Sequence, residues 1–217
     1  MKIIIGANAF LSNCLLEEWH KQNILLVGRK PSQKILEYKL NFIETNYANA
    51  KEVSAILRNQ TKMEVIFAGI SSEPALIIDA NPAKLMNDFE LNVIFSLEII
   101  KYLLPEMIRQ NYGRFIFIGS QESDLGVIGG VGYSIIKNSQ KAINTNLAIE
   151  YRRFNITSNI VRIGYLGEGY SSKLPAKRKK ELFVANNGGF RTNPKHVAKA
   201  IDEVLSDKNM NGKTFDV

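Results

Sequence analysis

Tyr133 and Lys137 lie four residues apart, which puts a phenol and an ammonium on one face of a helix. A free phenol titrates at about 10, and a cation beside it lets it ionise more readily, so the pair suits proton transfer. The spacing alone is cheap: the chain has eight tyrosines, and Tyr47 with Lys51 repeats it with nothing in support. The surroundings of Tyr133 set it apart. Ser120, thirteen residues upstream, ends a β-rich run, and Gly129, Gly130 and Gly132 lead into the helix. Asn92 sits inside the long helical stretch before that run.

A second kind of chemistry is written at the first strand-to-helix turn, Gly6-Ala7-Asn8-Ala9-Phe10-Leu11-Ser12. A dinucleotide needs glycine at the tight turn and small residues after it, so that backbone and helix N-terminus reach the pyrophosphate. Gly6 meets the first need, and Ala9 and Ser12 keep the spacing of a G-x-x-G-x-x-G pattern with two glycines replaced. A plain strand-to-helix turn explains these residues about as well. The second strand runs out into Gly28-Arg29-Lys30, without the acidic residue that usually takes hydrogen bonds from the ribose of NAD. Arg29 and Lys30 suit the extra phosphate of NADP(H) instead, or are simply an exposed basic loop.

The elements that must position these groups alternate. Short β-rich runs are expected at 2–5, 24–27, 41–44, 65–68, 114–118, 157–163 and 213–217. Helical spacing is expected at 11–20, 51–58, 82–110 (Pro82 near its start), 133–152, 176–182 and 194–205. This predicts an α/β fold, a Rossmann-type doubly wound parallel sheet of about seven strands with helices on both faces, in a single domain spanning 1–217. Ligands of such sheets bind beyond the carboxyl ends of the strands, where Gly6, Gly69, Ser120 and Gly164 fall.

Of the 217 residues, 45% are hydrophobic and 23% charged, which excludes disordered and collagen-like chains. Glu98, Lys101 and Glu106 break the longest apolar stretch below the ~20 residues of a membrane span. Three isoleucines after Lys2 are too few for a signal-peptide core, and a lone Cys14 cannot form an intrachain disulfide, so the cytoplasm is the expected compartment. The net charge is +7 and its densest basic run is Lys177-Arg178-Lys179-Lys180, with no interleaved aromatics and no groove-reading helix near it, so no nucleic-acid or membrane partner is expected. His20 and His196 lack relay partners and no metal site is expected.

In order and register, Asn92, Ser120, Tyr133 and Lys137 make the chain resemble the short-chain dehydrogenase/reductase family in its compact form. Further matches are Gly113-Arg114-Phe115-Ile116-Phe117-Ile118-Gly119, Ile156-Thr157-Ser158-Asn159-Ile160-Val161, Gly164, and the tail Asn211-Gly212-Lys213-Thr214-Phe215-Asp216-Val217. The resemblance implies hydride transfer between a nicotinamide and a carbonyl or secondary alcohol. Tyr133 would be the acid or base, Lys137 its cation and the holder of the nicotinamide ribose, and Ser120 the donor to the substrate oxygen. Asn92 would anchor a water linking Lys137 to solvent. NADP(H), or with less preference NAD(H), would lie against Gly6, Asn8, Ala9, Phe10, Leu11, Arg29, Lys30, Asn46, Ala68, Gly69, Tyr133, Lys137, Gly164 and Leu166. The helices of Asn92 and Tyr133 would pair two-fold in a homodimer or homotetramer.

The sequence also departs from the family pattern. Phe10 and Ser12 stand where the compact form usually has Gly, and the spacing of Ala9 and Ser12 matches the longer branch that modifies sugar nucleotides. Ile66-Phe67 replaces Asn-Asn before Ala68-Gly69, Asn46 replaces an adenine-contacting Asp, Ile163 replaces the Pro before Gly164, and Glu168 lies near a usual Thr. Residues 165–193, with Tyr165, Leu166, Tyr170, Leu182 and Phe183 beside the basic run, are expected to close over a small-molecule substrate, a phosphorylated or nucleotide-linked sugar carbonyl being one reading. The tetrad argues for an enzyme. The altered turn argues for the alternative, a regulatory nucleotide-binding protein without turnover.

Overall fold

Strands covered on both faces need unbroken apolar runs, and Ile3–Ile5, Leu25–Val27 and Val65–Phe67 supply the centre of this sheet. The computed structural model describes residues 1–69, 72–120, 126, 128–164, 166, 176–177, 179–180 and 192–217. Its strands are β1 (Lys2–Ile5), β2 (Ile24–Gly28), β3 (Asn41–Glu44), β4 (Glu64–Phe67), β5 (Gly113–Ser120), β6 (Ile156–Ile163) and β7 (Thr214–Asp216). They form one parallel seven-stranded sheet in the order β3-β2-β1-β4-β5-β6-β7. The order reverses between β1 and β4, and the crevice at their carboxyl ends is where such a sheet takes a ligand.

The helices are α1 (Phe10–Trp19), α2 (Gln33–Glu37), α3 (Ala50–Leu57), α4 (Pro82–Phe89), α5 (Phe95–Gln110), α6 (Val131–Glu150) and α7 (Pro194–Ser206). One core lies between the sheet and α3, α5 and α6, through Val53, Leu57, Ile99, Leu103 and Leu147. The other lies between the sheet and α1, α2 and α7, through Leu15, Trp19, Ile35, Val197 and Ile201. Asn49, Asn81 and Asn193 cap α3, α4 and α7 by accepting backbone N–H groups, and Pro82 and Pro194 occupy the first turns.

Two departures from the expected elements stand out. The stretch 82–110 is not one helix: a π-helical turn, Glu90–Ile94, separates α4 from α5 and contains Asn92. And α2, where no helix was expected, is a five-residue helix started by Ser32, whose hydroxyl accepts from Ile35 N–H at 3.4 Å. Of the expected helix at 176–182, residues 176, 177, 179 and 180 are described, all helical, and the others lie outside the described residues.

Candidate active site

The reversal point is built from two glycines. Gly6 ends β1 with φ +96, and a Cβ on it would lie 2.3 Å from the Gly69 nitrogen. Only glycine permits both that backbone angle and that approach. Ser12 does not behave as a worn glycine: it is buried, and its Oγ donates to the Gly6 carbonyl at 2.9 Å, bracing the turn from α1. Ala9, at the N-cap and in the crevice wall, offers no side-chain cap to α1, so no side chain at the N-cap claims the first N–H groups of that helix.

Asn8 ties this turn to the end of β2. Its Oδ1 accepts from Arg29 N–H at 2.9 Å and its Nδ2 donates to the Lys30 carbonyl at 2.7 Å. Both ends of the amide are engaged with backbone, so the structure gives Asn8 a scaffolding position as well as a place in the crevice wall. Arg29 is exposed at the rim, and the Lys30 side chain stands outside the wall. Leu11 turns into the core, and half-buried Phe10, at the start of α1, does not line the crevice. Ala68 is buried and donates its N–H to the Ile5 carbonyl at 2.9 Å.

The crevice is a cavity of about 380 Å³. Gly6, Asn8, Ala9, Arg29, Asn46, Tyr47 and Gly69 line one part, and Asn87, Leu91, Asn92, Ser96 and Gln140 line the other. Asn46 is exposed, its Oδ1 accepting from Ala48 N–H at 3.0 Å. Tyr47 was not expected here. It adopts φ +65 and sets its ring edge-on to Phe95 at 5.1 Å, and burial pushes its hydroxyl pKa up.

Asn92, Ser120, Tyr133 and Lys137 are all buried where α6 meets the carboxyl end of β5 and the π turn. Lys137 Nζ donates to the Ile118 carbonyl at 2.6 Å, two residues before Ser120, and lies 5.9 Å from the centre of the Tyr133 ring. Burial pushes the Lys137 ammonium down to about 8. Asn92 Nδ2 donates to the Asp88 carbonyl at 2.7 Å, and the Asn92 carbonyl accepts from Ser96 Oγ at 2.8 Å. Gln140 joins Lys137 to Asn92: Lys137 donates to its Oε1 and its Nε2 donates to the Asn92 carbonyl. The signal for Gln140 was present in the spacing, because 133, 137, 140 and 144 share one helical stripe with Ile136 and Leu147.

On the far side, Gly164 N–H donates to Thr192 Oγ1 at 2.9 Å, and that hydroxyl reaches the Val217 carbonyl at 3.4 Å. Leu166 packs against the core beneath. Tyr165, Glu168, Tyr170, Arg178, Leu182 and Phe183 lie outside the described residues, and so does most of the expected closing segment.

A dinucleotide fits what is present. Gly6 and Gly69 line the crevice without side chains, the α1 N-terminus suits an anion, and Arg29 adds a cation at the rim. Among the described residues no three His, Cys, Asp or Glu side chains gather as a metal site, and no helix is long and apolar enough to cross a membrane.

The sequence model described as short chain dehydrogenase matches residues 17–179. The chain is 31% identical to the 3-oxoacyl-acyl-carrier-protein reductase FabG of Buchnera aphidicola subsp. Schizaphis graminum, over 79% of this chain and 75% of that one. It is 27% identical to Nodulation protein G of Rhizobium meliloti, over 94% and 89%. A crystal structure of a candidate gluconate dehydrogenase from Agrobacterium tumefaciens superposes with a TM-score of 0.85 at 19% identity, covering 100% of this chain and 93% of that one, which speaks for the fold. A fold with its reversal point at two glycines, a buried Tyr-x-x-x-Lys helix against β5 and this family match place the chain in the short chain dehydrogenase family of NAD(P)-dependent oxidoreductases.

Proposed function

We propose that residues 1–217 act as one domain that interconverts a carbonyl and a secondary alcohol, with NADP(H) preferred over NAD(H). The observation that carries this reading is the burial of Tyr133 and Lys137 together on α6, against Ile118 at the end of β5 and beside the crevice that opens on Gly6 and Arg29. The nicotinamide, when bound, supplies or takes the hydride. The residues do the rest. The Tyr133 hydroxyl gives its proton to the substrate oxygen in reduction and takes one in oxidation. Ser120 Oγ donates to the same oxygen and stabilises the charge that grows there. Lys137 holds the ribose hydroxyls, and with its pKa at about 8 it is mostly cationic at neutral pH, so its charge eases ionisation of the phenol.

Gly6, Asn8 and Ala9 would meet the pyrophosphate, chiefly through backbone; Asn46, Ala68 and Gly69 would border the adenosine, and Gly164 and Leu166 the nicotinamide side. The preference for NADP(H) rests on Arg29, exposed at the crevice rim where an acidic residue would otherwise select NAD. Exposed Leu97 and Tyr102 on α5 and Ile135 and Ile149 on α6 support assembly as a homodimer or homotetramer. One cysteine in the chain agrees with a cytoplasmic setting.

The relatives named 3-oxoacyl-acyl-carrier-protein reductase make a 3-oxoacyl thioester the first substrate to try, and a phosphorylated sugar carbonyl, which the basic run favours, the second. NADPH and NADH are titrated first, then each substrate is offered with NADPH. NADPH consumption by the wild type that disappears in Tyr133→Phe supports the reading. A folded protein that binds neither cofactor removes it.

A further inference from the structure

A side chain on the buried face of α6 that costs free energy unless its polar ends are used calls for a reason. Gln140 is 2% exposed, on a stripe whose other members include Ile136 and Leu147, where an apolar residue of equal bulk would pack as well. Both ends of its amide are used. Lys137 Nζ donates to Gln140 Oε1 at 3.3 Å, and Gln140 Nε2 donates to the Asn92 carbonyl at 3.3 Å. The orientation is forced, because an ammonium only donates and a carbonyl only accepts. The π turn presents that carbonyl, and Ser96 Oγ braces it from the other side at 2.8 Å.

We propose that Gln140 is a positioning residue: its side-chain amide ties Lys137 to the Asn92 turn and sets where the ammonium stands relative to Tyr133. This rests on the role given to Lys137 under Proposed function. Lys137 is surrounded by neutral acceptors, the Ile118 carbonyl from β5 and the Gln140 amide from α6, with Tyr133 its titratable neighbour one turn away. Its place is therefore set by directional hydrogen bonds rather than by a counter-charge.

The test compares wild type with Gln140→Met, which keeps length and bulk but loses both bonds, and Gln140→Glu, which keeps an acceptor toward Lys137. The first readout is the Lys137 ammonium signal by nitrogen NMR on the full chain without cofactor, assigned by its loss in Lys137→Met. The expected result is a displaced or exchange-broadened signal in Gln140→Met, and in Gln140→Glu a Lys137 that titrates above wild type. Unchanged signals in folded variants overturn the proposal, and should Gln140→Met not fold, Gln140→Glu decides alone. The second readout is turnover with NADPH and the thioester, where Gln140→Met should lower kcat about tenfold with KM nearly unchanged. Wild type that neither binds NADPH nor turns over sinks the proposed function, while the NMR result still decides Gln140.

Discussion

Asn8 holds the backbone of Arg29: the Arg29 N–H donates to Asn8 Oδ1 at 2.9 Å while the other end of the same amide grips the next carbonyl. The first turn and the β2 exit are thus one rigid corner, and the Arg29 guanidinium extends from a fixed root. If it meets the extra phosphate of NADP(H), Arg29→Ala removes a charge-assisted hydrogen bond of about 1.5–3 kcal/mol and weakens NADPH binding roughly 10- to 100-fold. NADH binding should change less than twofold. Asn8→Ala should weaken both cofactors, since it loosens the whole corner. Fluorescence titration of the two variants separates these outcomes, and equal losses for NADPH and NADH in Arg29→Ala would count against the assignment.

The glycine pair predicts an asymmetry. At Gly6 a methyl group meets both a left-handed φ and a backbone nitrogen at 2.3 Å, whereas at Gly69 the nearest atom is the Gly6 Cα at 3.0 Å. Gly6→Ala should cost at least about 2–3 kcal/mol, and Gly69→Ala about 1 kcal/mol. Urea denaturation of both variants measures the difference; similar costs would mean that the turn relaxes more freely than its geometry allows.

Lys137 should work against the fold it serves. Its pKa is about 8 when folded and about 10.5 when unfolded, so below pH 8 its burial penalty is fully present. Between those values the unfolded chain holds the extra proton, and this group's contribution to stability rises with pH. Lys137→Met should therefore stabilise the protein at pH 7, by about 1–3 kcal/mol, while ending catalysis. The gain should shrink as unfolding is measured at pH 8, 9 and 10. A gain that grows with pH would reverse the sign argued here.

The outer faces of α5 and α6 carry Leu97 at 46% and Ile149 at 67% exposure. If these faces pair copies of the chain, Leu97→Glu combined with Ile149→Glu should shift sedimentation from an oligomer to the monomer mass. Unchanged assembly in the double variant would place the interface elsewhere.

How much of this was legible in the residues differs by element. β1, β2 and β4 could be read because strands covered on both faces need unbroken apolar runs, and α6 because its stripe is long. The π turn at Asn92 could not, since one extra residue in a helical ladder barely changes apolar spacing over a stretch from Pro82 to Gln110. α2 was not expected, because five residues are too few to show a period. In the crevice, Gly6 and Arg29 were visible because turn and strand-end chemistry is local. Tyr47 was not, because it reaches the wall through its contact with Phe95, far along the chain. Ser12 was taken for a substituted glycine, and only its bond to Gly6 reveals a brace.

The hydroxyl of Thr192 fastens the exit of β6 at Gly164 to the sheet edge at Val217. Positions 164 and 192 are thus fastened to each other and to the sheet edge through a single hydroxyl. Closing a longer or shorter stretch between two fastened points costs only about 0.6 kcal/mol for each doubling of length. A change of length between positions 164 and 192 should therefore leave the pairing of β6 with β7 in the same register.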